Sequence, residues 1–140
     1  MKIGIDIGGV LSKYPEQFKE LIEILTKAGA EVFIITDMHD RDKTLKMLSD
    51  NEVDIPPDKV FNSDYDQYGE LCKAIIVSQI GIDIFIDDFP GYLVWDSALG
   101  QAPIRLLVQP DPFTPYWSYS WKTEPGDDFG RRVSVLPQEI

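Results

Sequence analysis

The chain is poor in the residues that most often hold metals or form cross-links. Its 140 residues include one cysteine, Cys72, and one histidine, His39. A lone cysteine excludes an internal disulfide and a cysteine-built zinc site, and a reducing, cytoplasmic compartment is the expectation. A lone histidine excludes two-histidine catalysis and histidine-rich metal sites. Cations are scarce as well: 13 Lys and Arg stand against 24 Asp and Glu, for a net charge of −11. That balance repels nucleic acid and anionic membranes, and much of it reads as a solvated acidic surface. No apolar run approaches the roughly 20 residues of a membrane span, so no membrane partner is expected. The N-terminus has one lysine and then a strand pattern carrying an acid, which does not have the form of a signal peptide. What is present, 44% hydrophobic and 26% charged residues, is the composition of an ordinary globular domain spanning 1–140.

Strand and helix signals alternate along the first 108 residues. "KIGIDI" (2–7) is apolar and β-branched and stops at a pair of glycines. "PEQFKELIEILTKAGA" (15–30) opens on Pro-Glu, repeats apolar residues at Phe18, Leu21, Ile22 and Leu25, and ends at Gly29, which predicts a helix. "EVFIIT" (31–36) reads as a buried strand, "DRDKTLKMLSD" (40–50) as a helix and "KVFN" (59–62) as a short strand. "DQYGELCKAIIVSQIG" (66–81) reads as one helix, and "IDIFID" (82–87) and "PIRLLV" (103–108) as further buried strands. Strands that are apolar runs, separated by helices, indicate a parallel sheet covered on both faces. The expected fold is therefore α/β: a three-layer α/β/α sandwich, a Rossmann-like doubly wound parallel sheet of about five strands, with the first strand central and the "IFIDD" strand beside it. Residues 109–132 break the pattern with Pro, Gly and aromatics, and read as a long ordered loop in an extension over 109–140. Its aromatic cluster at 116–121 is a candidate for packing, substrate cover or a homodimer contact, and Arg131 and Arg132 are either a surface pair or help for an anionic substrate.

Ligands of open parallel sheets bind at the carboxyl ends of the strands. Asp6, Thr36 and the pair Asp87-Asp88 each fall at such an end, of three different strands. A buried acid is costly unless compensated, and two adjacent acids repel each other. Converging carboxylates with few basic neighbours suit a hard divalent cation, Mg²⁺ above all. Gly8 and Gly9 let the backbone turn sharply and approach a ligand, with carbonyls and N–H groups available to metal and phosphate. Thr36 offers a hydroxyl to a phosphate oxygen, and Lys73 a charge to offset the acids. Each has a plainer reading: turn hydrogen bonds at Asp6, a tight turn at the glycines, a capping hydroxyl at Thr36, a helix N-cap pair at Asp87 and Asp88, and a solvated charge at Lys73. Lys59 is the alternative lysine.

"GIDIGGVL", then "FIIT", Lys73 and "IFIDD" together resemble the four-motif signature of the haloacid dehalogenase-like superfamily of hydrolases, over roughly residues 1–108. The resemblance implies a phosphatase acting on a small phosphorylated substrate, a phosphate monoester, through an aspartyl-phosphate. It implies Asp6 as nucleophile, Thr36 as phosphate binder, and Lys73 as stabiliser of the nucleophile and the phosphoryl charge. It implies Mg²⁺ held by Asp6, the Gly8 carbonyl, Asp87 and Asp88, with Gly9 and Asp37 also in the substrate-binding set. Gly8 departs from the family pattern, which has an acid there that serves as proton donor and base. Asp37, His39 or water are the candidates to replace it. The alternative function is a catalytically weakened Mg²⁺- or phosphate-binding module that acts through protein partners. Neither gap between the early strands has room for a lid domain, so the site is expected to be open or covered by the aromatic segment or a partner subunit.

Overall fold

A computed structural model of the protein describes residues 1–109. Five short strands form one all-parallel sheet in the order β3-β2-β1-β4-β5. They are β1 (Lys2–Ile5), β2 (Glu31–Thr36), β3 (Val60–Asn62), β4 (Ile84–Asp87) and β5 (Ile104–Leu107). As expected, the first strand is central and lies between β2 and β4. The registers are direct: Ile5 sits opposite Ile34 on one side and Ile86 on the other.

Period-2 alternation sorts the strand side chains onto two faces, and each face has its own apolar cluster. Ile3, Ile5, Val32, Ile34 and Ile86 pack with Ile22, Met47 and Leu48, which come from α1 (Pro15–Lys27) and α2 (Arg41–Asp50). Phe33, Ile35 and Phe85 pack on the opposite face with Val77 of α4 (Cys72–Ile80). Helices therefore cover both faces, and the fold is α/β. Gly4 lies on the α4 face, where an added Cβ would come within 3.0 Å of Ile35 Cδ1 and 3.3 Å of Phe85 Cδ1. The missing side chain lets its neighbours close over the central strand.

Two elements differ from the sequence expectation. The helix expected over 66–81 is broken into α3 (Tyr65–Tyr68), a single tight turn at Gly69–Leu71 and then α4. Gly69 adopts φ 61, ψ −140, which only glycine takes readily, and this ends the first segment. The break lets α4 start afresh at Cys72, with Lys73 pointing inward. The strand at 103–108 forms as β5, but Ile104, Leu106 and Leu107 are exposed, because β5 is an edge strand paired only with β4 among the described residues. No helix among the described residues is long and apolar enough to cross a membrane. The aromatic segment, Arg131 and Arg132, and the extension from residue 110 onward lie outside the described residues.

Candidate active site

The carboxyl ends of β1 and β4 meet by register. Carrying the Ile5–Ile86 pairing on by one residue sets Asp6 beside Asp87, and the Asp6 N–H donates to the Ile86 carbonyl at 3.0 Å. Both side chains fall on the α4 face, two residues beyond Gly4 and Phe85. Lys73, the second residue of α4, reaches them from the helix above. Its Nζ donates to Asp6 Oδ1 and to Asp87 Oδ2, at 2.7 Å in each case. All three side chains are fully buried. A lysine in the first turn opposes the helix dipole, so its position is held by the two carboxylates and not by helix preference. In a water-poor interior such charge-assisted bonds are strong, and losing either partner leaves a buried charge.

Asp88 completes a buried trio. One carboxylate oxygen from each of Asp6, Asp87 and Asp88 lies within 4.8 Å of the others. An octahedral shell of oxygens at about 2.1 Å from a cation spaces them about 3–4 Å apart, so small inward movements would close this set around one ion. Three carboxylates on rigid strand ends are the all-oxygen chemistry of a hard divalent cation, and the residues fit such a group. Asp87 also accepts from the Phe89 N–H at 2.9 Å, an Asx-type bond that fixes its carboxylate; it is not the helix N-cap of the plainer reading, because the turn Pro90–Leu93 is preceded by Phe89 and has no side-chain cap.

The turn after Asp6 is set by its glycines. Gly8 has φ −65, ψ 124 and Gly9 has φ 75, ψ −3, the angles of a type II turn, in which the second central position favours glycine. The Gly9 N–H donates to Ser12 Oγ at 3.1 Å. Gly8 itself has angles open to any residue, so its lack of a side chain is not a demand of the backbone.

Thr36 is buried at the end of β2, where Oγ1 accepts from the Met38 N–H at 3.2 Å. That is the capping role, and it leaves the hydroxyl's own hydrogen as a donor. Alternation places Thr36 on the face of Ile34 and Met38, whereas Asp37 shares the α4 face with Asp6 and Asp87. Lys59 is removed from the rim: its Nζ lies 3.7 Å from Glu31 and 5.7 Å from the Phe33 ring centre. His39 is exposed. Cys72 is buried against Ser63, its Sγ 3.4 Å from Ser63 Oγ, and burial pushes the thiol pKa up. That environment is the opposite of an activated thiolate.

One site residue escaped the sequence reading. Tyr92, in the tight turn Pro90–Leu93 after β4, is 1% exposed. Its hydroxyl donates to Asp37 Oδ2 at 2.7 Å, and Lys73 Nζ lies over its ring, 4.5 Å from the centre. The signal was there in "DDFPGYL": a Phe-Pro-Gly turn just after the acid pair folds the next aromatic back over the acids. A groove of about 640 Å³ lies elsewhere, between α1 and the Glu52–Asp54 loop. The acids that line it are exposed, and none of the buried charged groups converges there.

The fold and site thus define an α/β protein with a fully buried lysine–carboxylate cluster at the carboxyl rim of its sheet. Comparison of the chain with protein-family models, with curated proteins and with solved structures returns no match.

Proposed function

We propose that the protein is a Mg²⁺-dependent phosphohydrolase of the haloacid dehalogenase-like type, acting on a phosphate monoester through an aspartyl-phosphate on Asp6. The observation that carries this reading is Lys73 Nζ shared between Asp6 and Asp87 inside the carboxylate trio. A lysine buried between two acids beside a third is a costly arrangement for a fold alone, and a fixed cation beside carboxylates suits the charge that phosphoryl transfer develops.

In the proposed reaction Asp6 attacks phosphorus from Oδ2, while Lys73 fixes Oδ1 and the attack angle. The ester oxygen leaves with the electron pair of the broken phosphorus–oxygen bond. Lys73 offsets charge on the transferring group. Asp87 and Asp88, with Asp6 and the Gly8 carbonyl, would hold Mg²⁺, which when bound supplies electrostatic stabilisation of the phosphoryl oxygens. Water then attacks the same phosphorus, and the Asp6 carboxylate is regenerated. Because the side chains are buried, the rim must open for phosphate to enter.

The test is hydrolysis of p-nitrophenyl phosphate in Mg²⁺, with Asp6→Asn alongside. We expect turnover in the parent and its loss in the variant, and equal rates in the two proteins would refute the reading. Gly8 favours a second reading, a binding module that retains Mg²⁺ without turnover. Calorimetric Mg²⁺ binding with no hydrolysis across a panel of phosphate esters would select it.

A further inference from the structure

The proposed reaction has two proton transfers that Asp6 cannot perform while it acts as nucleophile. The leaving oxygen needs a proton as its bond to phosphorus breaks, and the attacking water must lose one. Gly8, two residues on from the nucleophile, has no side chain to do this. The β1–β2 register pairs Lys2 with Glu31 and Ile5 with Ile34. Asp37 directly follows Thr36, the last residue of β2, at the same carboxyl rim of the sheet as Asp6. Asp37 is 1% exposed, lies on the α4 face, and has Oδ2 fixed by the Tyr92 hydroxyl at 2.7 Å. The ring of the same tyrosine carries Lys73 on its face. Tyr92 therefore ties Asp37 to the ion pair that holds Asp6. The other candidate from sequence, His39, is exposed.

We propose that Asp37, held by Tyr92, is the proton-transfer carboxylate of this site, supplied across the sheet where Gly8 supplies none; the proposal rests on the phosphohydrolase reading above. In the first step the Asp37 carboxyl proton passes to the leaving oxygen as the ester bond breaks. In the second step Asp37 takes a proton from water as the water oxygen bonds to phosphorus. The bond from phosphorus to Asp6 then breaks, and its electron pair returns to the Asp6 carboxylate. Asp37 ends each turnover as it began it, and the net change is ester plus water to alcohol plus phosphate. Tyr92 is a positioning residue: it touches Asp37 and Lys73 and acts through them.

The experiment uses the full chain, Mg²⁺ and two esters, p-nitrophenyl phosphate and an alkyl phosphate. Nitrophenolate leaves without a proton, so in Asp37→Asn the first step should persist and the second should slow. We expect a burst of nitrophenolate equal to the enzyme present, accumulation of phosphorylated protein by mass spectrometry, and a steady-state rate lower by about 10²-fold or more. The alkyl ester should suffer more than the aryl ester, because both of its steps need Asp37. Tyr92→Phe keeps the ring over Lys73 and removes the hydroxyl. It should reduce the steady-state rate about tenfold, in line with the loss of one hydrogen bond to a charged group, and with the same leaving-group bias. A purely structural role would lower both esters and both steps alike. Asp37→Asn with no burst and equal losses on the two esters, or with a rate within twofold of the parent, overturns the proposal. If Asp37→Asn does not fold, Tyr92→Phe decides by the same leaving-group comparison. A parent that hydrolyses p-nitrophenyl phosphate only while Asp6 is present keeps the function reading intact in either case; a parent without turnover fails that reading first.

Discussion

Lys73→Met is the sharpest probe of what holds the rim together. Methionine keeps most of the buried stem and removes the charge. The ammonium of the parent touches Asp6 and Asp87 at 2.7 Å each, with none of the three side chains exposed. Without it, two carboxylates with oxygens within 4.8 Å face each other. At an effective dielectric of about 20 their repulsion is about 3.5 kcal/mol. Removing one partner from a buried ion pair costs about 3–5 kcal/mol, a range that brackets this repulsion. In a domain of this size each kcal/mol shifts Tm by about 3–5 °C, and the variant should melt about 10–20 °C below the parent in metal-free buffer. Circular dichroism at 222 nm reads this directly. Adding Asp6→Asn to Lys73→Met removes the repulsion and should recover at least half of the loss. Millimolar Mg²⁺ should raise the Tm of Lys73→Met more than that of the parent, because a bound cation takes over the role of the ammonium. A fall of less than about 3 °C, on the same scale of about 3–5 °C per kcal/mol, combined with no recovery in the double variant, would show that the lysine is not what offsets these acids.

Two further outcomes test the surrounding fold. Gly4→Ala drives a methyl to 3.0 Å from Ile35 Cδ1 and 3.3 Å from Phe85 Cδ1, and should destabilise by about 1–3 kcal/mol in chemical denaturation, with turnover at low temperature retained. Burial raises the Cys72 thiol above its ordinary value of 9.0, so the folded protein keeps a neutral thiol where the unfolded chain ionises. Its contribution to stability is therefore intact below pH 9.0 and is lost as pH rises above it. Native Cys72 should resist iodoacetamide at pH 8 and react on unfolding, and Cys72→Ala should flatten the alkaline fall in Tm; rapid alkylation of the native protein would contradict its burial.

Much of the fold was legible because local signals agreed with the global one. The run "EVFIIT" becomes β2 over the residues expected, and Pro15, Glu16 and Lys27 mark the two ends of α1 as the helix dipole favours. The break at Gly69 was not legible, since one glycine in an apolar-periodic stretch is compatible with a continuous helix until its φ is known. The exposure of β5 was not legible either, because an apolar run looks the same at the centre of a sheet and at its edge. At the site, Asp6, Asp87, Asp88 and Lys73 could be named from their strand ends and spacing, whereas Tyr92 could not be ranked above the other tyrosines.

By itself the sequence determined which residues carry charge and which strand ends they occupy, because strand period, helix period and turn chemistry act over a few residues. Only the tertiary structure decided who meets whom. Parallel pairing in the order β3-β2-β1-β4-β5 brings Asp6 beside Asp87, and the restart of α4 at Cys72 turns Lys73 inward between them. The turn at Pro90–Leu93 closes Tyr92 onto Asp37. The hydrogen bonds that join Lys73 to the two acids and Tyr92 to Asp37 span 14 to 67 residues of chain, and contacts at such separations are fixed by register and packing, on which local sequence has no hold.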